Sequence, residues 1–322
     1  MSAASLLCNH PIPVHPNFHS LYLSTCWLHI DKTKWDACIN TAGNGLIYAT
    51  SMYLDTMSEN WDALVLDDYK AVMPLTWKKK YSIHYLYQPF FTASLGVFGN
   101  NINAALVNDF LKTIPSKFKY WDIYLNHNNF FQLKDFDLYE RMNYVLPLNE
   151  PYEKLYDIFR DNIKRNIKKA EKLNCIVKKD FAVDDVIALA TTQSKDFASL
   201  SKNDFSRFKN LYKQLHTNKQ AITYGIYTAT KELVASCVFF FFNNRAYYIL
   251  VGNHPNGKTI GASHALINAF IKDNAGKNIV LDFEGSDIRN LAFFYNSFGA
   301  KEEKYVGVKY NNLSGLLKLF KK

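Results

Sequence analysis

Cysteine is scarce in this 322-residue chain: there are five, an odd number, at Cys8, Cys26, Cys38, Cys175 and Cys237. No two form a C-x-x-C pair, which argues against a disulfide framework or a zinc knuckle and points to a reducing, cytoplasmic compartment. Long apolar runs are also missing. The most apolar, LVASCVFFFF over 233–242, is about half the length needed to cross a bilayer, so no membrane span is expected. The opening MSAASLLCNHPIPVHPNFHS lacks the apolar stretch of about 7–15 residues that a signal peptide needs. Absent too are H-E-x-x-H, G-x-S-x-G, the P-loop and G-x-G-x-x-G, the marks of zinc proteases, α/β-hydrolases, P-loop NTPases and dinucleotide enzymes. Nothing calls for a metal.

What is present suits a globular chain with ample core: 48% of residues are hydrophobic and 21% charged. The length fits two domains. A formal net charge of +9 favours an anionic partner, whether nucleic acid, a phosphorylated cofactor or a membrane surface.

Residues 1–26 carry three prolines and the histidines His10, His15 and His19 without periodicity, and are expected to be a mobile leader. WDALVLDDYKAVMPLTWKKKYSIHYLYQPFF (61–91) reads as a three-strand meander with charges at its turns. A helix is expected over 102–114, followed by strands at KYWDIYLN and LYERMNYVLPL. A helix over 152–173, a strand over 174–181 and helices over 183–198 and 204–217 come next. A second meander (AITYGIYTA, LVASCVFFFF, RAYYILVG) leads to helix 260–275, strand NIVLDF, helix 288–298 and strand KEEKYVGVKY. Helices flanking a meander, followed by α-β-α-β, predict an α/β fold with a mixed sheet, used twice. The expected domains are 27–149 and 150–322, and the second carries the candidate cleft.

Three places could carry chemistry. At YYILVGNHPNGKTIGASHALINAFI (247–271) a strand ends in a polar loop and a helix opens at Gly261, Ala262 and Ser263, with Lys258 just before. Small residues at a helix start leave N–H groups open to an anion, or let the helix pack closely. His254 and His264 flank this loop as general bases or as surface histidines. At LDFEGSDIRNLAFFYNSFGA (281–300) an apolar strand ends in Asp282 and Glu284 before an aromatic helix. Between 160 and 179 stand eight Lys or Arg against two acids. Arg160, Lys164, Lys168 and Lys172 follow i, i+4 spacing, either as a solvated face or as a binding face for phosphate or RNA.

KTIGAS resembles the [RQ]-x-x-G-x-[GA] loop of the GCN5-related N-acetyltransferase (GNAT) fold, with Lys258 in place of Arg or Gln. NLAFFYNSFGA resembles that fold's late helix, Tyr295 standing four residues before Gly299. IFRDNIKRNIKKAEKLNCIV (158–177), LDFEGS, and YLYQPFFTASLGVFGN (85–100) are similar to segments of Fem-like bacterial acyltransferases built from two such domains. The resemblance spans about residues 27–310. It implies two tandem GNAT-like domains and transfer of an acyl group from acyl-CoA (acetyl-CoA) or a similar activated donor. The acceptor it implies is an amine on a small molecule or cell-wall precursor, attacking directly without a covalent enzyme intermediate. It implies that Lys258, Gly261, Ala262 and Ser263 hold the donor's pyrophosphate, that Asp282 or Glu284 takes a proton and that Tyr295 gives one. Two alternatives stand beside it: Fem-like transfer from aminoacyl-tRNA to a peptidoglycan precursor, and a non-catalytic phosphate- or nucleic-acid-binding protein. No long charged insertion forms a helical hairpin, and Phe294-Tyr295 stands where Fem enzymes carry Phe-Lys, a departure toward acetyl-CoA enzymes.

Overall fold

The computed structural model describes residues 21–24, 30–192, 200–285 and 287–315. Most of the expected leader, the end of the helix expected over 183–198, and Ser286 lie outside the described residues. The chain divides into two compact units, residues 1–141 with 304–322, and residues 142–303.

The first unit runs β1 (Leu21–Ser24), α1 (Lys32–Thr41), α2 (Ser51–Met57), β2 (Asn60–Leu66), β3 (Ala71–Lys80), β4 (Ile83–Leu86), β5 (Phe98–Gly99), α3 (Ala104–Thr113) and β6 (Phe118–Leu125), and enters β7 (Asp137–Pro147). Strands β2, β3 and β4 form the antiparallel meander. Helix α3 then carries the chain across to β6, which lies parallel to β4. Asn103 starts α3 by accepting the Leu106 N–H at 3.0 Å. Its apolar face, Leu106, Val107, Phe110 and Leu111, packs on Leu64, Met73, Leu75 and Phe118.

The second unit continues through α4 (Tyr152–Asp157), α5 (Asp161–Lys172), β8 (Ile176–Lys179), α6 (Val183–Thr191), α7 (Lys202–Thr217), β9 (Ala221–Tyr227), β10 (Leu233–Phe242), β11 (Arg245–Asn253), α8 (Pro255–Ile260), α9 (Ala262–Asn274), β12 (Val280–Asp282) and α10 (Arg289–Asn296), and enters β13 (Lys301–Asn311). The plan repeats. Strands β9, β10 and β11 form an antiparallel meander, helices cross over, and β12 returns parallel to β11. Strand β8 lies at the edge, antiparallel to β9.

The two units exchange their last strands. β7, which follows β6 in sequence, pairs with β12 through Val145, Leu146 and Pro147. β13, which follows β12, pairs with β6 from Val306 to Asn311. The second unit therefore begins at Met142 and stops at Glu303. The helix expected over 152–173 is two helices, because Arg160 leaves helical geometry (φ −66°, ψ 154°) and its N–H goes to Ser297 O at 2.9 Å.

In the first unit, segment 95–99 has little ladder of its own and borrows side-chain partners. Asn129 Oδ1 accepts the Val97 N–H at 2.7 Å, and Asn44 Oδ1 accepts the Gly99 N–H at 3.1 Å. Both asparagines are buried. Asn129→Ala strands the Val97 N–H and is expected to cost about 1–3 kcal/mol in a urea titration of the whole chain.

Candidate functional site

The site forms where two parallel strands of the second unit part. β11 and β12 pair only from Arg245–Tyr247 to Val280–Asp282. Beyond that point β11 runs on to Asn253, with Leu250 as a bulge residue (φ 45°) opposite the register shift at Cys237/Val238. The other chain turns away, with Glu284 at φ 66° and Gly285 at φ 77°. Splayed carboxyl ends of parallel strands are where α/β proteins place ligands, because backbone groups there lack ladder partners.

Asp282 holds this corner together. Its Oδ2 accepts from Arg245 Nη1 at 2.6 Å. Its Oδ1 accepts from Asn143 Nδ2 and from the Glu284 N–H, both at 2.9 Å. Arg245 also forks onto Glu303 at 2.9 and 2.8 Å. Burial works against the Arg245 charge, but Asp282 and Glu303 outweigh it and raise its pKa. A carboxylate with both oxygens so engaged is poorly placed to take a substrate proton.

Glu284 and Tyr295 come together beyond it. Tyr295 stacks on Phe283 with centroids 4.4 Å apart and meets Tyr248 edge-on at 6.4 Å. The ring is 5% exposed. Burial, then the charge of Glu284, raises its pKa, so the phenol keeps its proton at neutral pH. Glu284 is half-buried in a left-handed conformation that costs a non-glycine residue about 1–2 kcal/mol. The Asp282 bond to its N–H, with Asn143 Oδ1 accepting the Gly285 N–H at 2.6 Å, holds it there.

The glycine loop differs from the open cradle expected. PNGKTI, residues 255–260, folds as α8, and Gly261 (φ 79°) links it to α9. A Cβ on Gly261 would stand 2.4 Å from Asn166 O of α5, so close packing requires this glycine. Among the described residues no side chain caps α9. Ala262 is buried, Lys258 is exposed, and Ser263 Oγ donates to Asn253 Oδ1 at 2.5 Å, tying α9 to the end of β11.

His254 caps α8, its Nδ1 accepting the Asn256 N–H at 3.2 Å. His264 is half-buried, its ring packed edge-on against Phe294 at 5.0 Å. Its Nδ1 is buried without a hydrogen-bond partner, and burial lowers its pKa to about 4. A histidine between Ser263 and Ala265 gave no sign of this in the sequence. Arg245 was likewise invisible, a lone cation at a strand start whose partners lie 37 and 58 residues away.

The basic row does not act as one face. Arg160 donates to Asn296 Oδ1 at 2.7 Å and lies over Phe293, and Lys164 donates to Asp157 O at 3.0 Å. Lys168 and Lys172 are exposed, joined on the solvent side by Arg165 and Lys169.

No family model matches the chain, and no curated protein does. Solved structures do. FemX aligns at a TM-score of 0.63 and 14% identity, covering 86% of this chain and 96% of that one. A conserved protein of unknown function from Bacteroides thetaiotaomicron aligns at 0.56 and 12% identity, over 87% and 97%. L-PGS from Bacillus licheniformis aligns at 0.52 and 11% identity, over 90% and 94%. The fold is Fem-like, a tandem GNAT-type arrangement.

Two measurements check this geometry. Gly261→Ala and Gly276→Ala share the left-handed strain (φ 79° and 78°), but nothing lies within 4 Å of a Cβ at Gly276. Gly276→Ala is expected to cost about 1 kcal/mol, and Gly261→Ala clearly more because α5 must shift; equal losses in urea would show that the approach of α5 is unimportant. The second concerns pH. An unfolded imidazole titrates near 6.5 and His264 near about 4. Its stabilising contribution is full above the higher value and is lost as pH falls between the two. His264→Leu should therefore lose less stability than the wild type between about pH 7 and 5, read from urea midpoints.

Proposed function

We propose that the chain is an acyltransferase whose second unit moves an acyl group from an activated donor to an amine. The observation that carries this is the parting of parallel strands β11 and β12 over a buried, protonated tyrosine beside a strained glutamate. The amine attacks the acyl carbon directly, and the protein supplies position and proton transfer. Glu284, at the mouth, takes the proton that the attacking nitrogen sheds. Tyr295 O–H donates to the leaving atom as the tetrahedral adduct collapses. Asp282 and Asn143 act one step back, fixing the backbone that presents Glu284.

The donor we assign is an acyl-CoA such as acetyl-CoA. Its phosphates would meet the uncapped first turn of α9, Ala262 and Ser263, with exposed Lys258 alongside. The fit is partial, since Asn166 closes off the Gly261 backbone. That closure favours a second reading, in which the fold is kept for binding without catalysis. An aminoacyl-tRNA donor with a cell-wall-precursor acceptor is the other variant, supported by the likeness to FemX and the exposed cations of α5.

Calorimetry with acetyl-CoA, and thiol release from acetyl-CoA with a panel of primary amines, test the proposal. Tyr295→Phe should lower turnover about 10²–10⁴-fold, the usual loss for a proton-transfer group, with acetyl-CoA affinity unchanged. Glu284→Gly should also be slow, yet at least as stable as wild type, because the left-handed strain goes with the side chain. Full turnover in the tyrosine variant would take Tyr295 out of the chemistry. No acetyl-CoA binding would leave the other two readings.

A further inference from the structure

We propose that the solvent face of α5 and the edge strand β8 form a docking surface for an anionic lipid membrane. The inference stands on surface chemistry alone and does not depend on the acyl-transfer reading.

Helix α5 buries Ile163, Ile167 and Ala170. Arg165, Lys168 and Lys172 fall within about 60° of one another on the opposite side, and Lys169 lies just beyond them. All four are exposed, and among the described residues none is in an ion pair. The helix is about 18 Å long, so these cations lie within one or two Debye lengths of each other and act as a single field.

Large aliphatic groups are left in water directly beyond this face. Leu173 ends the helix at 46% exposure, and Ile176 and Val177 in β8 are 56% and 40% exposed. Successive strand side chains point to opposite faces, so Ile176 and Val177 are uncovered on both sides of this edge. Lys178 continues the positive charge, while Lys179 is paired with Asp273 at 2.6 Å.

A cationic helix face followed by an edge strand with aliphatic side chains exposed on both of its faces matches the two layers of a membrane interface: lysines meet anionic headgroups while the strand edge enters the acyl boundary. A second copy of the chain does not fit, since its own cations would face these. RNA suits the charge but not the rest, because Leu, Ile and Val offer bases neither stacking planes nor hydrogen bonds.

The experiment is co-sedimentation of the whole chain with vesicles of phosphatidylcholine alone, or with roughly a third phosphatidylglycerol, across a salt series. Binding is expected only to the anionic vesicles and should weaken as salt rises. R165Q/K168Q/K169Q/K172Q should bind about a hundredfold or more weakly. L173S/I176S/V177S should bind about tenfold more weakly with its charge intact. All seven positions are exposed, and urea midpoints like the wild type will confirm that both variants fold. No binding to anionic vesicles overturns the proposal. So does unchanged binding by the serine variant, and so does bulk tRNA that displaces the vesicles and binds the serine variant as tightly as wild type, since the surface would then serve RNA.

Discussion

The second unit depends on one buried cation. Arg245 opens β11, Asp282 closes β12, Asn143 lies in β7 and Glu303 at the start of β13; one hydrogen-bonded cluster therefore fixes four strands at one level. Taking most of Arg245 out of water is costly, and so is burying Asp282 and half-burying Glu303. The geometry returns that cost: Arg245 forks onto Glu303 and meets Asp282 at 2.6 Å, and Asn143 Nδ2 reaches both acids at 2.9 and 3.2 Å. Such a cluster contributes less to net stability than to register, since any slip between strands strands a buried charge.

The strained residue follows from that cluster. A glutamate at φ 66° relaxes unless its neighbours determine the backbone. Asp282 and Asn143 do so through the N–H groups of Glu284 and Gly285. Of the two acids that the sequence offered for proton transfer, Asp282 is thus occupied in positioning the other. In a continuing strand Asp282 and Glu284, two residues apart, would share one face; the end of β12 at Asp282 and the left-handed backbone of Glu284 (φ 66°) are what take them to different surroundings.

Much of the architecture was legible because it rests on local periodicity. Both meanders, α3, the crossover strand β12 and α10 follow from apolar spacing and turn residues. Helix α1 was missed because its apolar signal is only Trp35, Cys38 and Ile39, with the Asp31 cap as its other mark. The strand exchange was hidden for a different reason. β7 and β13 read as ordinary strands, and sequence pattern does not say which sheet a strand joins. Ile158–Arg160 carries no proline or glycine, yet it breaks a helix because a distant carbonyl, Ser297 O, takes the Arg160 N–H. At the site, the strand end at Asp282 and the helix carrying Tyr295 were legible, whereas the parting of β11 from β12, the partial burial of His264 and the Arg245 cluster arise only when distant residues meet.

Packing and chemistry need not compete at Tyr295. Its ring belongs to an aromatic series running from Phe270 through Phe239, Tyr248 and Phe283, with centroid steps of 3.7, 5.4, 6.0 and 4.4 Å. A phenylalanine would serve that series as well and would avoid taking a hydroxyl out of water, which costs about 1–3 kcal/mol when it is poorly paired. The aromatic core therefore accounts for the ring and its orientation but not for the oxygen. Burial and the nearby charge of Glu284 both raise the pKa of that hydroxyl. A hydroxyl that packing does not require, within reach of the charge on a strained glutamate, is what supports the proton-donor role proposed for Tyr295.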